Sequence, residues 1–506
     1  MSVLPIVGID LGRTKSCAAI IRDSKVEMVS DGWRSRIIPS YVAYPPNGNP
    51  VYMVGKFARN KMRINPAGVI FDCKRLIGMA YTDPIVEEMK EYVPFAIIDD
   101  GNNKPMVRVV QNGKNIDKRP EEIEAMILRH LQKLTSEHAE CDINKVVITV
   151  PAYFDQCQRQ ATKDAGVIAG LDVVDIIPEP VAAAYAYADQ NMNSNDEKTV
   201  MIYDLGGGAF NVTIVSMNGL QYKVLGLNGD LFGGSDFDTL IMNEVYKTYL
   251  ADGNEELNQR KRSKLRFTCE EAKMALKAAP DDEIFINDWV YVLTQTKLAL
   301  LLKPMIQKTI DLCKRTLADC GKTIDDISDI ILVGGSSRLN IVHEMLEKEF
   351  PKKMSELVNP DECVAYGAVK YAYFLSQRNN APNHEIRTVH CPSNVSITMN
   401  GTVLTTLCLE QSLPFEKAFL FVEHSPVTTM WIYVSEIDSQ DPMITRTLRI
   451  FMFQVPPPLR TPDTIFKIML RMDERRFLSI RVIDEKSGME LVCSMTSCVV
   501  SFEQTR

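Results

Sequence analysis

Apolar runs that end in a turn alternate with helix-like periodicity along most of the chain. Residues 146–150 form a mostly apolar run that stops at Pro151, and this run predicts a buried strand. Residues 121–134 follow Pro120 and place Ile127, Leu131 and Leu134 at helical spacing, which predicts a helix with one apolar face. The alternation of these two patterns up to about residue 378 predicts an α/β architecture.

The pattern changes after residues 376–383, a polar stretch that contains Pro382 and predicts a linker. Beyond it, Leu478, Ile480 and Val482 alternate with polar residues, as expected of a strand with one buried face. Residues 485–488 supply a turn between strands of this kind. The C-terminal part is therefore predicted to be a separate domain built of strands.

One strand-and-turn signature occurs twice, far apart in the chain. An apolar run leads into Asp10 and Gly12, and a second leads into Asp204 and the glycines 206–208. Glycines can turn sharply and expose backbone N–H groups that hold a phosphate, and aspartates at strand ends can hold a hydrated Mg²⁺. A single copy would be explained by a tight connection without a ligand. Two copies predict a pair of loops that grip the phosphates of a nucleotide from both sides.

A third turn of this kind follows the apolar residues 330–333 and reads Gly334, Gly335, Ser336. Residues 339–350 after it predict a helix. Glycines here would let a base or ribose approach the backbone, and Arg338 could stack on a purine. Taken alone, the turn is also explained as a packing device between a strand and a helix.

Composition argues against several classes of function. The net charge of −8 and the absence of a basic run argue against a nucleic-acid partner. The 12 cysteines form no C-x-x-C pair and the six histidines do not cluster with them, so we expect reduced thiols and no zinc. Residues 1–5 lead directly into the first strand without a signal peptide, and no run has transmembrane length. We therefore expect a cytoplasmic protein with no membrane partner.

Around these turns the sequence resembles the seventy-kilodalton heat-shock chaperones, the Hsp70 family, which belongs to the actin-like sugar-kinase ATPase superfamily. The stretches that match occur in the family's order and near its spacing, and they are residues 8–12, 71–78, 150–154, 159–166, 204–208, 332–336, 359–362 and 364–367. The resemblance implies a two-lobed actin-like ATPase domain, a duplicated ribonuclease-H-like fold of α/β class, followed by a β-sandwich. It places the nucleotide-binding domain at residues 1–383, the interdomain linker at 384–391, and a peptide-binding domain without the family's helical lid at 392–506.

The resemblance also implies the site residues. The catalytic group is Lys74, which would orient the attacking water, together with Asp10, Asp204 and Glu179; Asp10 and Asp204 would hold Mg²⁺ through water. The residues that would hold ATP or ADP are Gly12, Arg13, Thr14, Lys15, Gly206, Gly207, Gly208, Ala209, Gly233, Gly234, Glu270, Lys273, Gly335, Ser336, Arg338 and Asp361. A solvated surface lysine is the alternative for Lys74. An ordinary salt bridge between lobes is the alternative for the last four charged residues of that set.

Several positions depart from the family's pattern near the γ-phosphate and the metal. The first loop normally reads Gly-Thr-Thr-Tyr, but here Arg13 and Lys15 bring in two positive side chains. The second loop normally reads Gly-Gly-Gly-Thr-Phe-Asp, but here Ala209 and Asn211 replace the threonine and the final carboxylate. Ser235 stands where a glutamate is usual. This pattern indicates a protein that binds nucleotide but hydrolyses it slowly.

Other departures from the pattern concern adenosine and the linker. Met274 replaces a basic residue that could stack on adenine, and Lys277 replaces a serine. The family's linker is rich in leucine, whereas the best alignment here places Ile386, Arg387 and Thr388 in it. Loss of two buried leucines would cost several kcal/mol of docking, at roughly 1.5–3 kcal/mol per side chain. We therefore expect weakened coupling between the domains.

Two classes of function remain open. The first is an ATP-binding chaperone that binds extended apolar segments of unfolded polypeptides, in the cytoplasm and with the nucleus as a second compartment. The second is a nucleotide-binding pseudo-ATPase that regulates other chaperones, and a sugar kinase of the same superfamily is a distant third. A J-domain co-chaperone and a nucleotide-exchange factor are the further partners that the resemblance implies.

Overall fold

The computed structural model of the protein describes residues 6–503, except for residues 24, 153, 155, 191–196, 219–220, 231, 352, 356–358, 379–388, 391–394, 400–401, 408–411, 414, 424–428, 438–444, 457–458, 460–463, 473–477, 492 and 498–501. Spatial proximity divides the chain into two compact units. The first comprises Met1–Ile77, Glu88–Ala152 and Ala161–Glu385, and the second comprises Gly78–Glu87, Tyr153–Gln160 and Ile386–Arg506.

The strands of the N-terminal part are, in chain order, β1 Val7–Asp10, β2 Lys15–Arg22, β3 Lys25–Met28, β4 Ile38–Pro39, β5 Val42–Ala43, β6 Met53–Val54, β7 Val69–Ile70, β8 Ala96–Asp99, β9 Pro105–Gln111, β10 Lys114–Lys118, β11 Lys145–Val150, β12 Asp172–Pro178, β13 Lys198–Leu205, β14 Phe210–Asn218, β15 Gln221–Asp230, β16 Asp281–Ile286, β17 Trp289–Thr294, β18 Asp329–Val333 and β19 Met354–Ser355. The helices are α1 Lys56–Asn60, α2 Pro84–Tyr92, α3 Pro120–Ala139, α4 Gln156–Ala169, α5 Glu179–Gln190, α6 Gly234–Ala251, α7 Gln259–Ala275, α8 Gln295–Asp319, α9 Asn340–Glu349 and α10 Cys363–Arg378. Short 3₁₀ turns lie at Lys61–Arg63, Pro66–Gly68, Cys73–Arg75, Ile324–Asp326 and Gly335–Arg338.

Two sheets of the first unit share one topology. Their strand orders are β3-β2-β1-β11-β12, with β4 added on β2, and β15-β14-β13-β18-β19. In each sheet the first three strands form an antiparallel meander, and the remaining two run parallel to the strand that begins it. The first unit is therefore a duplicated, two-lobed actin-like fold of α/β class, as the sequence predicted. Because β1 and β13 are equivalent, the turns that follow Asp10 and Asp204 occupy equivalent places in the two lobes.

Helices α5 and α10 pack together in the core that joins the two sheets. Their alanines share one apolar cluster with Val147 of β11, Ile202 of β13 and Val333 of β18. The helices approach closely at Gly367, where an added Cβ would lie 1.7 Å from the carbonyl oxygen of Ala182. A side chain at Gly367 would therefore separate the helices. A second apolar core fills the C-terminal lobe around β13, β14, α6 and α8.

The predicted strand at 146–150 and the predicted helix at 121–134 are present as β11 and within α3. The helix predicted at 339–350 is α9, preceded by the 3₁₀ turn at Gly335–Arg338. Helix α10 continues to Arg378, three residues into the stretch that the sequence predicted to be a linker. Of the proposed linker at 384–391, Val389–His390 form a short strand, and the remaining residues lie outside those described. No helix in the described ranges has the length and apolar character that a membrane span requires.

The C-terminal part of the chain is built of strands. They are β20 Val389–His390, β21 Val395–Met399, β22 Thr402–Leu407, β23 Ser412–Leu413, β24 Phe415–Glu423, β25 Thr429–Ile437, β26 Thr445–Gln454, β27 Thr464–Met472, β28 Leu478–Asp484, β29 Cys493–Ser497 and β30 Phe502–Glu503. One sheet has the order β22-β21-β25-β26-β29 and another has the order β24-β27-β28. Ile480 and Val482 on β28 are buried and Arg481 between them is exposed, as the predicted two-residue alternation requires. They pair with Leu470 and Ile468 of β27, which are fully buried, and so contribute to the core of this β-sandwich.

Candidate functional site

The two glycine turns of the first unit face each other. The first joins β1 to β2 and the second joins β13 to β14. An added Cβ on Gly207 would lie 2.5 Å from the side chain of Thr14, and one on Gly208 would lie 1.8 Å from Nη1 of Arg13. The structure therefore brings residues 12–15 together with residues 206–209, which the sequence predicted from the repeated signature.

Three carboxylates and one ammonium group lie at the base of these turns. Lys74 donates from Nζ to the carbonyl oxygen of Leu11 and to Oε1 of Glu179, at 3.0 Å in the second case. Lys74 is buried, so the alternative of a solvated surface lysine does not hold. Glu179 begins α5 directly after β12, which places its carboxylate at the same edge of the sheet as the end of β1.

The acidic groups at this position repel one another. Burial raises the pKa of Asp10 to about 7, and the charge of Glu179 adds to the effect. Burial also raises the pKa of Asp204 well above its ordinary range, again with contributions from Glu179 and Asp10, while a hydrogen bond from Asn211 opposes the shift. A single ammonium group therefore leaves the pocket with an excess of negative charge that a divalent cation would neutralise.

These residues fit a hydrated Mg²⁺. Among the described residues no group of three or more acidic, histidine or cysteine side chains is close enough to coordinate a metal ion directly. Mg²⁺ keeps several waters when it binds protein, and carboxylates separated in this way can hold it through those waters. Asp10 and Asp204 are the residues of this chain that would do so.

Helix α6 begins beside the second turn. The backbone N–H of Gly234 donates to the carbonyl oxygen of Gly206 at 3.0 Å, and that of Ser235 donates to Gly207 at 2.6 Å. Asp236 accepts from the N–H of Gly233 at 2.7 Å and caps the helix. The positive end of a helix of 18 residues therefore lies at the turn, as is usual for sites that hold phosphates.

The third glycine turn, at residues 334–336, lies against the second turn and the start of α6. Gly334 has a φ of +83°, which a side chain would disfavour, and an added Cβ there would lie 2.4 Å from the carbonyl oxygen of Leu205. An added Cβ on Gly234 would lie 2.4 Å from Oγ of Ser336. The predicted turns at 206–209, 233–234 and 334–336 are thus neighbours in the fold, although they are distant in sequence.

The four charged residues predicted at the adenosine cleft all form ion pairs. Arg59 Nη2 lies 3.1 Å from Glu270, and Lys273 Nζ lies 2.6 Å from Asp238. Arg338 Nε lies 2.6 Å from Asp361, a carboxylate that Lys15 also approaches at 4.0 Å. The pair of Arg59 with Glu270 joins the two lobes, which is the salt-bridge alternative that the sequence left open. Arg338 lies against Asp361 beside the third turn, so these two residues are together at one wall of the cleft.

Sequence reasoning assigned no role to Asp72, which holds Arg13. Nη2 of Arg13 lies 2.8 Å from Oδ2 of Asp72, and the hydroxyl of Tyr92 donates to the same oxygen at 3.2 Å. Burial would raise the pKa of Asp72, but the charge of Arg13 outweighs burial and the pKa lies below its ordinary value. Two features of the sequence could have indicated this pair. Arg13 is a cation that departs from the family's pattern in the first loop, and Asp72 is an aspartate within residues 71–78, a stretch that matches the family.

Glu124 is a buried acid that the sequence analysis did not single out. It lies on α3 among apolar residues, and its Oε2 has no hydrogen-bond partner within the described part of the chain. Burial raises the pKa of Glu124 to about 7, while the charge of Lys74 opposes the shift. The folded state therefore binds this proton more tightly than the unfolded chain does.

Glu124→Gln is expected to stabilise the protein at alkaline pH. A raised carboxyl pKa gives stability that is complete below about pH 4.5 and is lost as the pH rises to about 7. Urea unfolding should therefore show no gain for the variant at pH 5 and a gain of about 3 kcal/mol at pH 8. Glu137→Gln, on the exposed side of the same helix, is the matched control and should show no such dependence. A loss of stability for Glu124→Gln at pH 8 would mean that Glu124 is ionised and paired.

Comparison with known proteins agrees with the geometry. A family model described as Hsp70 protein matches residues 6–497. The chain is also 34% identical over 448 residues to a heat shock 70 kDa protein 2 of Paracoccidioides lutzii, an alignment that covers 85% of this chain and 68% of that protein. The match spans both the two-lobed unit and the strands after it. This chain therefore belongs to the Hsp70 family of chaperones, whose members are ATPases.

Proposed function

We propose that this protein is an ATP-binding chaperone that binds extended apolar polypeptide, hydrolyses ATP slowly and couples its two domains weakly. The observation that carries the proposal is the contact between the two glycine turns, at Thr14 with Gly207 and at Arg13 with Gly208, above the cluster of Asp10, Asp204, Glu179 and Lys74. We place the nucleotide-binding domain at residues 1–383, the linker at 384–391 and the peptide-binding domain at 392–506.

We assign the residues already described to four roles: holding the phosphates, holding Mg²⁺, lining the adenosine end and orienting the attacking water. The turns at 12–15, 206–209 and 233–234 would hold the phosphates of ATP or ADP, and Asp10 with Asp204 would hold Mg²⁺ through water. Glu270, Lys273, Gly335, Ser336, Arg338 and Asp361 would line the adenosine end. When bound, Mg²⁺ neutralises phosphate charge; Lys74, held by Glu179 and the Leu11 carbonyl, would orient the attacking water.

Slow hydrolysis follows from what the second turn contains. Ala209 provides no hydroxyl near the terminal phosphate, and Asn211 provides an amide where the family has a carboxylate. The amide of Asn211 donates to Asp204, so it is committed to that carboxylate. Ser235 likewise provides no carboxylate at the start of α6. The second candidate function, a nucleotide-binding regulator of other chaperones without turnover, rests on the same departures.

Weak coupling is expected in peptide binding. The linker residues Ile386, Arg387 and Thr388 offer one apolar side chain where the family has several, so docking of the linker should contribute little free energy. Fluorescence anisotropy of a labelled apolar heptapeptide should give dissociation constants in ATP and in ADP that differ by about fivefold or less, near the lower end of typical coupling.

The same titration distinguishes the two candidate functions. Slow peptide release in ADP with a large acceleration by ATP would contradict weak coupling. Absence of peptide binding in the apo, ADP and ATP states would favour the regulator over the chaperone. A J-domain protein and a nucleotide-exchange factor are the partners we propose for the chaperone, which we place in the cytoplasm.

A further inference from the structure

Arg13 is a buried cation with unused hydrogen-bond donors. Its side chain is 10% exposed, and of its guanidinium nitrogens Nη2 is bound to Asp72. Nε and Nη1 are buried and have no hydrogen-bond partner among the described residues. Leaving a buried charged donor unpaired costs free energy, so these two nitrogens require an explanation, and an anionic ligand that accepts from them would supply one.

The unused donors lie against the second glycine turn. An added Cβ on Gly208 would be 1.8 Å from Nη1 of Arg13 and 2.1 Å from its Cδ. The arginine therefore crosses from the first turn to the backbone of the second, where a phosphate held by both turns would lie. Glycine at 208 is what permits this approach, since any side chain there would occupy the place of the guanidinium.

The position of Arg13 is held by the groups around it. The carboxylate of Asp72 accepts hydrogen bonds from the hydroxyl of Tyr92 and from the guanidinium of Arg13, so two donors fix its position. The backbone of Asp72 is left-handed, with a φ of +57°. Burial disfavours the charge of Arg13, but Asp72 outweighs burial and raises the pKa of the guanidinium above its ordinary value. Arg13 is therefore a permanent cation held rigidly at the turn.

The remaining charges that face Arg13 are already engaged. Asp236 accepts the N–H of Gly233, and Arg266 donates to the carbonyl oxygen of Ser235 at 3.0 Å. Arg75 donates to the hydroxyl of Tyr92 at 3.1 Å and to Glu88 at 3.2 Å. Three carboxylates, those of Asp72, Asp236 and Glu88, thus match the three guanidinium groups in charge, and Nε and Nη1 of Arg13 remain without a protein acceptor among the described residues.

We propose that Nε and Nη1 of Arg13 donate hydrogen bonds to the terminal phosphate of a nucleoside triphosphate, which makes this cleft prefer the triphosphate to the diphosphate. This inference rests on the proposed function, because it requires that the paired turns hold a nucleotide. Arg13 would then partly replace the threonine hydroxyl that the family has at this position. A guanidinium is suited to the task because it presents several donors in a planar fork.

The test compares the binding of two ligands to the full chain by calorimetry. The ligands are the β,γ-imido analogue of ATP and ADP, both with Mg²⁺, so that hydrolysis plays no part. Arg13→Met keeps most of the length of the side chain and removes the charge. It is expected to weaken binding of the triphosphate analogue by about 10- to 100-fold and of ADP by about threefold or less, since hydrogen bonds to charged groups are worth about 1.5–3 kcal/mol.

Two further variants separate this role from folding and from general cleft closure. Arg13→Met leaves Asp72 buried without its cation, so Arg13→Met with Asp72→Asn removes both charges and should show the same selective loss. Arg59→Met removes a guanidinium of similar burial that joins the lobes and that contacts Glu270 and the ring of Phe267, whereas the side chain against Gly208 is that of Arg13. It is the matched control and should weaken both ligands by the same factor.

The outcomes are distinct. Selective loss of triphosphate binding in both Arg13 variants supports the inference. Equal losses for the two ligands, unchanged binding, or tighter binding of the triphosphate analogue in Arg13→Met would overturn it and leave the proposed nucleotide site standing. If the unaltered protein binds neither ligand, the proposed function and this inference both fail.

Discussion

The double substitution Ala209→Thr with Asn211→Asp is expected to raise the single-turnover rate of ATP hydrolysis by about 10²-fold. A single missing electrostatic group at a transition state typically costs about 10²–10³ in rate. Threonine at 209 would return a hydroxyl to the second turn, and aspartate at 211 would return a carboxylate beside Asp204. Rapid mixing of the purified full chain with limiting Mg-ATP, followed by measurement of ADP formed, checks the rate.

The gain should depend on Mg²⁺. Asn211 now donates a hydrogen bond to Asp204, whose pKa is already raised by burial and by the neighbouring carboxylates. Aspartate at 211 would add a further negative charge to this cluster, and only a bound cation can offset that repulsion. The double variant should therefore be less stable than the unaltered protein in chelator and should recover stability when Mg-ATP is added.

Two controls identify the source of the rate. Ala209→Val with Asn211→Asp has nearly the same shape without the hydroxyl, and it should gain less than the threonine variant. Lys74→Ala in the double-substituted background should lower the rate by about 10²–10³-fold, because Lys74 is the cation that would orient the attacking water. An unchanged rate in Ala209→Thr with Asn211→Asp would mean that residues 209 and 211 lie away from the reacting phosphate.

The sequence predicted the fold wherever the pattern of apolar residues is local. Residues 146–150 and 121–134 carry the period of a strand and of a helix, and both elements are present. The alternation at 478–482 corresponds to β28 in the same way. The end of α10 is different, because the polar composition from residue 376 predicted a linker there. Instead, Ser376 lies in the last turn of the helix, where its hydroxyl donates to the carbonyl oxygen of Tyr373 at 2.7 Å.

The approach of the paired turns was predictable because the signature at Asp10 recurs at Asp204. Two equivalent turns in a duplicated fold face each other, and the contact of Thr14 with Gly207 follows from that symmetry. Lys74 was likewise predictable from the stretch around it, and its burial beside Glu179 agrees with that position.

Local periodicity could not predict the individual charge pairs. The pair of Arg13 with Asp72 and the pair of Arg59 with Glu270 join residues that are 59 and 211 positions apart, and no apolar pattern specifies such a partner. Glu124 is similar, because an acid on a helix is normally assigned to the exposed face. Its burial follows from the packing around α3, where Ile123 and Leu128 on either side of it are also buried.

Gly207→Val is expected to abolish nucleotide binding by the full chain. An added Cβ at this position would lie 2.5 Å from Thr14, so a β-branched side chain must push the two turns apart and cover the N–H groups that face the phosphate. Substitution of Gly206 should have a smaller effect on nucleotide binding, since an added Cβ there would meet only the carbonyl oxygen of Ala209 at 3.7 Å. Gly32→Val is the matched control, because nothing lies within 4 Å of an added Cβ at Gly32.

Thermal unfolding of the three proteins with and without saturating Mg-ADP tests the paired turns most directly. A ligand that binds only the folded state adds about 2.7 kcal/mol at a hundredfold excess over its dissociation constant, and this gain appears as a higher melting temperature. The account predicts that the unaltered protein and Gly32→Val melt at a higher temperature with Mg-ADP, while Gly207→Val keeps the melting temperature of its ligand-free form. A melting temperature of the unaltered protein that does not respond to saturating Mg-ADP, or an equal rise in Gly207→Val, would contradict it.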